Sequence, residues 1–254
     1  MLIAIDIGNS RIKTGKFEKN ELTEIHSFKK VGDLITFLKS DRKNDIAVSS
    51  VVPSKTKIVS DEIKNLTGKN IFVISKEIKT NLKIEYKTPE TLGIDRLCSA
   101  EGAFFLFKNL EKYKNYYIGT FILSIDFGTA TTINVIEHPG KFIGGLIAPG
   151  IDMMFDSLKQ KTAQLPLLSI SDCTSTIGND TKSSIASGVV TSVIGMIEKT
   201  VNYLRIEEYA KEIVVYLTGG NAKKITPYLD MNFIYEEGLV LYGVNALWKL
   251  NKNG

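Results

Sequence analysis

Two carboxylates in this chain stand in the same local sequence. Asp6 lies in Leu2-Ile3-Ala4-Ile5-Asp6-Ile7-Gly8-Asn9-Ser10, and Asp126, 120 residues later, in Leu123-Ser124-Ile125-Asp126-Phe127-Gly128-Thr129-Ala130. Each ends an apolar run short enough for a buried strand, and each is followed by a glycine, small polar residues and a second β-branched run. The pattern predicts a strand, a tight turn and a returning strand. Glycine lets the turn approach a ligand closely, and the surrounding amides and hydroxyls can donate to phosphate oxygens. A bare carboxylate repels a polyphosphate, so an aspartate in that position implies a metal ion or its water shell between the two. Lys13 follows the first turn closely enough to reach a phosphate. A different chemistry is offered by Asp95 and Arg96, which follow Gly93 and Ile94: a carboxylate able to accept a proton beside a planar cation. The ordinary role of such an aspartate is to cap a helix, which stabilises it by ~0.5–2 kcal/mol.

These residues need elements to position them. One Asp-x-Gly turn is an ordinary hairpin, but two about half a chain apart predict a duplicated domain with a nucleotide cleft between the halves. After the first hairpin, with its returning strand over 11–17, a third strand is expected over 21–27, and Val31, Leu34, Ile35 and Leu38 have amphipathic-helix spacing. A short buried strand over 46–48 leads to a helix capped by Ser54 and stopped at Gly68, then to a strand over 71–74. Residues 79–89 read as loop, and Leu97, Ala100, Phe104, Phe107 and Leu110 as the apolar stripe of a helix that Asp95 begins. The charged, tyrosine-rich stretch 108–119 suits a crossing between domains 1–117 and 118–254. In the second half, strands are expected over 131–136, 142–147, 214–217 and 233–235. Helices are expected over 151–158, initiated by Gly178-Asn179-Asp180-Thr181 with interruptions at Gly188 and Gly195, from Asn221, and over 238–250. Gly144-Gly145 marks a bulge or a close backbone contact, and Met153, Met154 and Leu158 are expected in the core.

Composition narrows the chemistry. With 254 residues, 43% hydrophobic and 24% charged, the chain can bury one large core or two of about 120 residues each. The net charge of +4 is small and its lysines are dispersed, which argues against a nucleic-acid stripe. Cys98 and Cys173 form no CxxC, and His26 and His138, the two histidines, lie in no catalytic motif. Carboxylates are left for acid–base work and oxygen ligands for any metal. Met1 leads directly into a strand containing Asp6, and no apolar run approaches the ~18 residues of a membrane helix, so a cytoplasmic protein is expected.

The paired hairpins resemble those of the acetate kinase, sugar kinase, heat-shock protein and actin superfamily. Such a resemblance implies an α/β fold of two duplicated actin-like, ribonuclease H-like domains, each a mixed sheet flanked by helices. More specifically, the chain resembles the type III pantothenate kinases. The matching pieces are Asp6 to Lys13, Ser50-Val51-Val52-Pro53, Gly93-Ile94-Asp95-Arg96, Asp126 to Thr132, Gly144 to Gly150, Thr162 to Pro166, Ile177 to Thr181 and Thr218-Gly219-Gly220, in family order over nearly the whole chain. The resemblance implies ATP-dependent phosphorylation of pantothenate, the opening step of coenzyme A synthesis, by a homodimer. Asp6, Ile7, Gly8, Asn9, Ser10, Arg11, Ile12, Lys13 and Thr129 would bind ATP with its Mg²⁺, and Asp126 would hold a monovalent cation, potassium or ammonium. Tyr86, Gly93, Ile94, Asp95 and Arg96 would contact pantothenate, with Asp95 as its proton acceptor, and Thr181 would complete the pocket at the dimer interface. Neither nucleic acid nor membrane is an expected partner. Other readings are a nucleotide-binding regulator without catalysis, and a kinase of another small hydroxylated metabolite.

Overall fold

The computed structural model describes residues 1–40, 43–110 and 118–252. Residues 111–117, inside the expected crossing, lie outside the described set. The chain groups into two compact units, Met1–Tyr116 with Pro139–Gly144 and Gly238–Gly254, and Tyr117–His138 with Gly145–Glu237. A sequential division at 117/118 assigns residues 238–254 to the second half, whereas their contacts place them in the first unit.

In the first unit, β1 (Leu2–Ile7), β2 (Ile12–Glu18) and β3 (Glu21–Phe28) form an antiparallel meander, and β4 (Asp45–Ser50) and β5 (Phe72–Val73) extend it in parallel in the order β3-β2-β1-β4-β5. Every residue of β1 except Asp6 is buried, as a strand covered on both faces requires. On one face Ile3, Ile5, Ile7 and Ile12 meet Leu34, Ile35 and Leu38 of α1 (Val31–Lys39) and Val59 and Ile63 of α2 (Pro53–Thr67). Each such side chain contributes roughly 1.5–3 kcal/mol by leaving water. α2 begins with Pro53 in its first turn and Val52 at the cap position, where no side chain accepts a bond. Ser54, the expected cap, is therefore already inside the helix, because proline there needs no amide partner. Gly68 ends α2 in the left-handed conformation, as expected.

The same unit contains α3 (Ile94–Asn109) and α7 (Leu239–Asn251), which pack backbone to backbone. A Cβ on Gly243 would meet the carbonyl oxygen of Cys98 at 1.8 Å, and one on Gly102 that of Leu239 at 2.0 Å. Only glycine at these two positions permits the approach. The expected loop over 79–89 contains a short strand, β6 (Lys83–Ile84), paired in parallel with the start of β9 (Lys141–Pro149). Two residues are too few to display a period.

The second unit repeats the first unit's strand order. β7 (Thr120–Phe127) and β8 (Ala130–Glu137) form the antiparallel hairpin, and β10 (Glu212–Thr218) and β11 (Ile234–Tyr235) follow in parallel. In this unit the strands run in the order β11-β10-β7-β8-β9. α4 (Ile151–Lys161) and α5 (Thr181–Ile206) pack together, and α6 (Ala222–Ile225) follows the end of β10. α5 runs unbroken for 26 residues, so Gly188 and Gly195 do not interrupt it. Its start is fixed by Asp180, whose carboxylate accepts from the amides of Lys182 at 2.8 Å and Ser183 at 3.1 Å, while the Ser183 hydroxyl accepts from the Asp180 amide. The amide and hydroxyl of Ser183, the hydroxyl donating to the second carboxylate oxygen at 2.9 Å, and then the Lys182 amide hold the Asp180 carboxyl below its ordinary pKa.

Candidate functional site

The first hairpin places its charges in register. Asp6 lies directly across β2 from Lys13, and Ile7 from Ile12, leaving Gly8, Asn9, Ser10 and Arg11 as the turn. The Gly8 amide donates to the Arg11 carbonyl at 3.0 Å and closes it. Asp6 is thus a half-buried strand residue rather than an exposed turn residue. Asn9, Ser10 and Arg11 are exposed, whereas Ile7 and Ile12 are buried and can offer a ligand only their backbone. Lys55 of α2 joins this turn unforeseen. Its ammonium donates to the carbonyls of Gly8 at 3.3 Å and Asn9 at 3.1 Å, across more than 40 residues of sequence.

At the start of α3, Gly93 occupies the cap position and Asp95 the second helical residue. The Asp95 carboxylate accepts from the Arg96 amide at 2.9 Å, so it is not the N-cap, although it sits in the favourable field of the helix N-terminus. A Cβ on Gly93 would fall 2.5 Å from that carboxylate. Arg96 is 5% exposed, with its guanidinium 5.8 Å from the Tyr86 ring centroid and 5.9 Å from that of Phe142. The two rings meet edge-on at 6.1 Å. Tyr86 and Arg96, 10 residues apart in sequence, are in contact, and Phe142 from β9 is an unforeseen third member. Ile94 is half-buried in the first turn. Behind these groups the Cys98 thiol is pushed up in pKa, chiefly by burial and further by the carboxylates of Asp6, Glu101 and Asp95.

The second hairpin is one residue tighter. Phe127 pairs with Thr131 across Gly128, Thr129 and Ala130, and Asp126 faces the neutral Thr132. Two segments fold onto this turn. The Gly150 amide donates to the Thr129 carbonyl at 3.1 Å, and the Asn221 amide to that of Phe127 at 3.1 Å. Gly219 has φ of 98°, and a Cβ there would meet the Asp126 carboxylate at 2.4 Å. The Asn221 side chain also donates to Asp152, at the head of α4, at 2.9 Å. Among the described residues no three or more His, Cys, Asp or Glu side chains form a metal cage. A cation at Asp126 would draw its other oxygens from water, phosphate or backbone, which suits a weakly held monovalent ion or a phosphate-borne Mg²⁺.

Thr181 is exposed at the first position of α5, where it lines a groove of about 1040 Å³ with Met153, Met154, Leu158, Leu165 and Ile185. The methionines and Leu158 are thus groove residues, not core. α4 turns Ile151 and Phe155 inward and leaves Met153 44% exposed. α5 is also, among the described residues, the one helix long and apolar enough to cross a membrane by length and composition, although its polar residues leave no continuous apolar run. Its stripe from Ala186 through Val190, Val193, Ile197 and Leu204 is buried within the protein.

A hairpin-led mixed sheet built twice in the same strand order, with glycine turns and an aspartate at each, defines a duplicated actin-like α/β fold. Solved structures share it. The chain is similar to a putative Baf family transcriptional activator from Campylobacter jejuni (TM-score 0.62, 22% identity, 99% of this chain and 100% of that one). It is also similar to a putative N-acetylmannosamine kinase from Listeria monocytogenes (TM-score 0.52, 12% identity, 98% of each). At these identities the likeness is of fold alone. In sequence, residues 2–203 match the model of the type III pantothenate kinases. Type III pantothenate kinases from Persephonella marina (32% identity over the whole of both chains) and Dictyoglomus turgidum (35%, 90% of both) are similar along their lengths. The chain belongs to the type III pantothenate kinase family.

Proposed function

We infer that this chain transfers the terminal phosphoryl group of ATP to the primary hydroxyl of pantothenate, opening coenzyme A synthesis. The observation that carries the site assignment is the pairing, at one helix start, of a carboxylate, a mostly buried guanidinium and a tyrosine. Pantothenate has a carboxylate, two hydroxyls and an amide. Arg96 offers the donor fork for the carboxylate, Tyr86 a hydroxyl partner and Asp95 the acceptor for the proton lost from the attacking hydroxyl. Phosphoryl transfer depends on positioning and charge neutralisation more than on covalent chemistry. The backbone of the Gly8 to Arg11 turn, with Asp6 and Lys13, serves the nucleotide and its Mg²⁺. Asp126 serves the monovalent cation.

The exposed groove at Thr181 supports a homodimer with a second copy of the chain as its occupant. No atom lies within 4 Å of a Cβ added to Gly188 or Gly195, so that helix surface is open to another backbone. A cytoplasmic location follows from the metabolic role. The test is a coupled ATPase assay with and without pantothenate. Pantothenate-dependent turnover is expected, and nucleotide binding without it would leave the regulator reading in its place.

A further inference from the structure

Glu101 is a buried carboxylate that the proposed reaction does not use. It lies on α3, six residues beyond Asp95, and is 0% exposed. One oxygen accepts from the backbone amides of Asn81 at 2.8 Å and Leu82 at 3.0 Å, and the other from the Asn81 side-chain amide at 2.9 Å. Burial raises its pKa, and these bonds oppose the rise. Desolvating a carboxylate is costly, and an apolar residue of similar size would serve a core at least as well, so the three bonds need a use beyond packing.

That use lies in what the captured segment carries. Asn81 and Leu82 immediately precede β6, where Ile84 pairs with Phe142, and Tyr86 follows two residues later. The Tyr86 ring touches both Phe142 and the guanidinium of Arg96, which returns the path to α3. The contacts form a closed circuit: α3 at Glu101, the 81–82 segment, β6, Tyr86, Arg96 and α3 again. The Asn81 and Leu82 bonds are one closure of that circuit and the ring contact the other. Glu101 is invisible to motif reading because its partners lie about 20 residues upstream in a segment without periodicity.

We propose that Glu101 is a positioning residue for the acceptor substrate, its carboxylate fixing the 81–86 segment on α3 and so setting Tyr86 against Arg96. The proposal rests on the reading that Tyr86 and Arg96 take pantothenate. Glu101→Leu removes all three acceptors. It is expected to raise the KM for pantothenate roughly tenfold to a hundredfold, the scale of a binding group misplaced by about an ångström, with the KM for MgATP within about threefold of wild type. Glu101→Gln keeps one oxygen for the two backbone amides, and the exposed Asn81 can turn its amide to meet the new NH₂. That variant is expected to recover most of the pantothenate KM. Because Glu101→Leu can fail to fold, Asn81→Ala is measured beside it, and a rise of severalfold in the same KM alone is expected. A folded Glu101→Leu with wild-type pantothenate KM, or equal losses toward both substrates, overturns the proposal, as does a wild-type pantothenate KM in Asn81→Ala where the leucine variant does not fold. Tyr86→Ala and Arg96→Lys are run in parallel to separate the two levels. If they raise the pantothenate KM and the Glu101 and Asn81 variants do not, positioning by Glu101 alone is refuted; if they too leave it unchanged, the site reading falls first.

Discussion

Asp95→Asn separates a base from a helix-start aspartate with a single atom changed. The structural cost can be worked from the contacts. Asparagine keeps an oxygen for the Arg96 amide, now 2.9 Å away, so the hydrogen bond survives and only the charge at the N-terminus of the 16-residue α3 is lost. That loss is about 0.3–1 kcal/mol, equivalent in a chain of this size to a melting shift of about 4 °C at most. The kinetic cost is of another order. A positioned acid–base group contributes roughly 10²–10⁴-fold, so kcat is expected to fall by that factor with the KM for MgATP little changed. Steady-state kinetics with pantothenate varied at saturating MgATP, together with a melting curve, give both numbers from one preparation. A kcat within a few-fold of wild type would end the base assignment, because an amide cannot take the proton. A drop in melting temperature of ten degrees or more would show that the carboxylate is chiefly structural.

Other substitutions test the remaining parts of the site. Lys55→Met removes the ammonium that ties the Gly8 and Asn9 carbonyls; the KM for MgATP should rise about tenfold while that for pantothenate holds, and unchanged nucleotide kinetics would make Lys55 a bystander. Gly188→Leu projects a side chain into open groove space, so the fold should be kept while sedimentation shows monomer and activity falls; a fully active monomer at assay concentration would refute the dimer reading. Potassium or ammonium activation should disappear in Asp126→Asn and persist, at lower overall rate, in Asp6→Asn. Equal cation responses in the two variants would remove the cation from Asp126.

Much of the backbone was legible because its signals are local. Four apolar residues at helical spacing placed α1 at both ends, and Gly68 placed the end of α2. What escaped was decided by contacts between distant segments. Lys55 reaches a turn more than 40 residues before it, and Phe142 joins Arg96 only because β9 pairs with a two-residue strand. Met153 and Met154 are apolar in a region of regular helix, and nothing in their spacing distinguishes a core face from a groove. The C-terminal helix likewise follows the second hairpin in sequence but packs on α3 through Gly243.

The two hairpins also differ in a way that bears on their division of labour. Both present an aspartate one residue before the end of the central strand, but its cross-strand neighbour is Lys13 in the first and Thr132 in the second. Side chains directly opposite in an antiparallel pair have Cβ atoms about 5 Å apart, so Asp6 has a lysine across from it, whereas the residue across from Asp126 is neutral. A lysine at that distance competes with a monovalent cation for the carboxylate and adds a donor for a phosphate. A threonine brings no competing cation to its strand position. The second turn is shorter by one residue, and Gly219 lies close against the Asp126 carboxylate. The cross-strand difference and the one-residue change in turn length are what the proposed division, a phosphate grip at the first hairpin and a cation seat at the second, would require of one duplicated sheet.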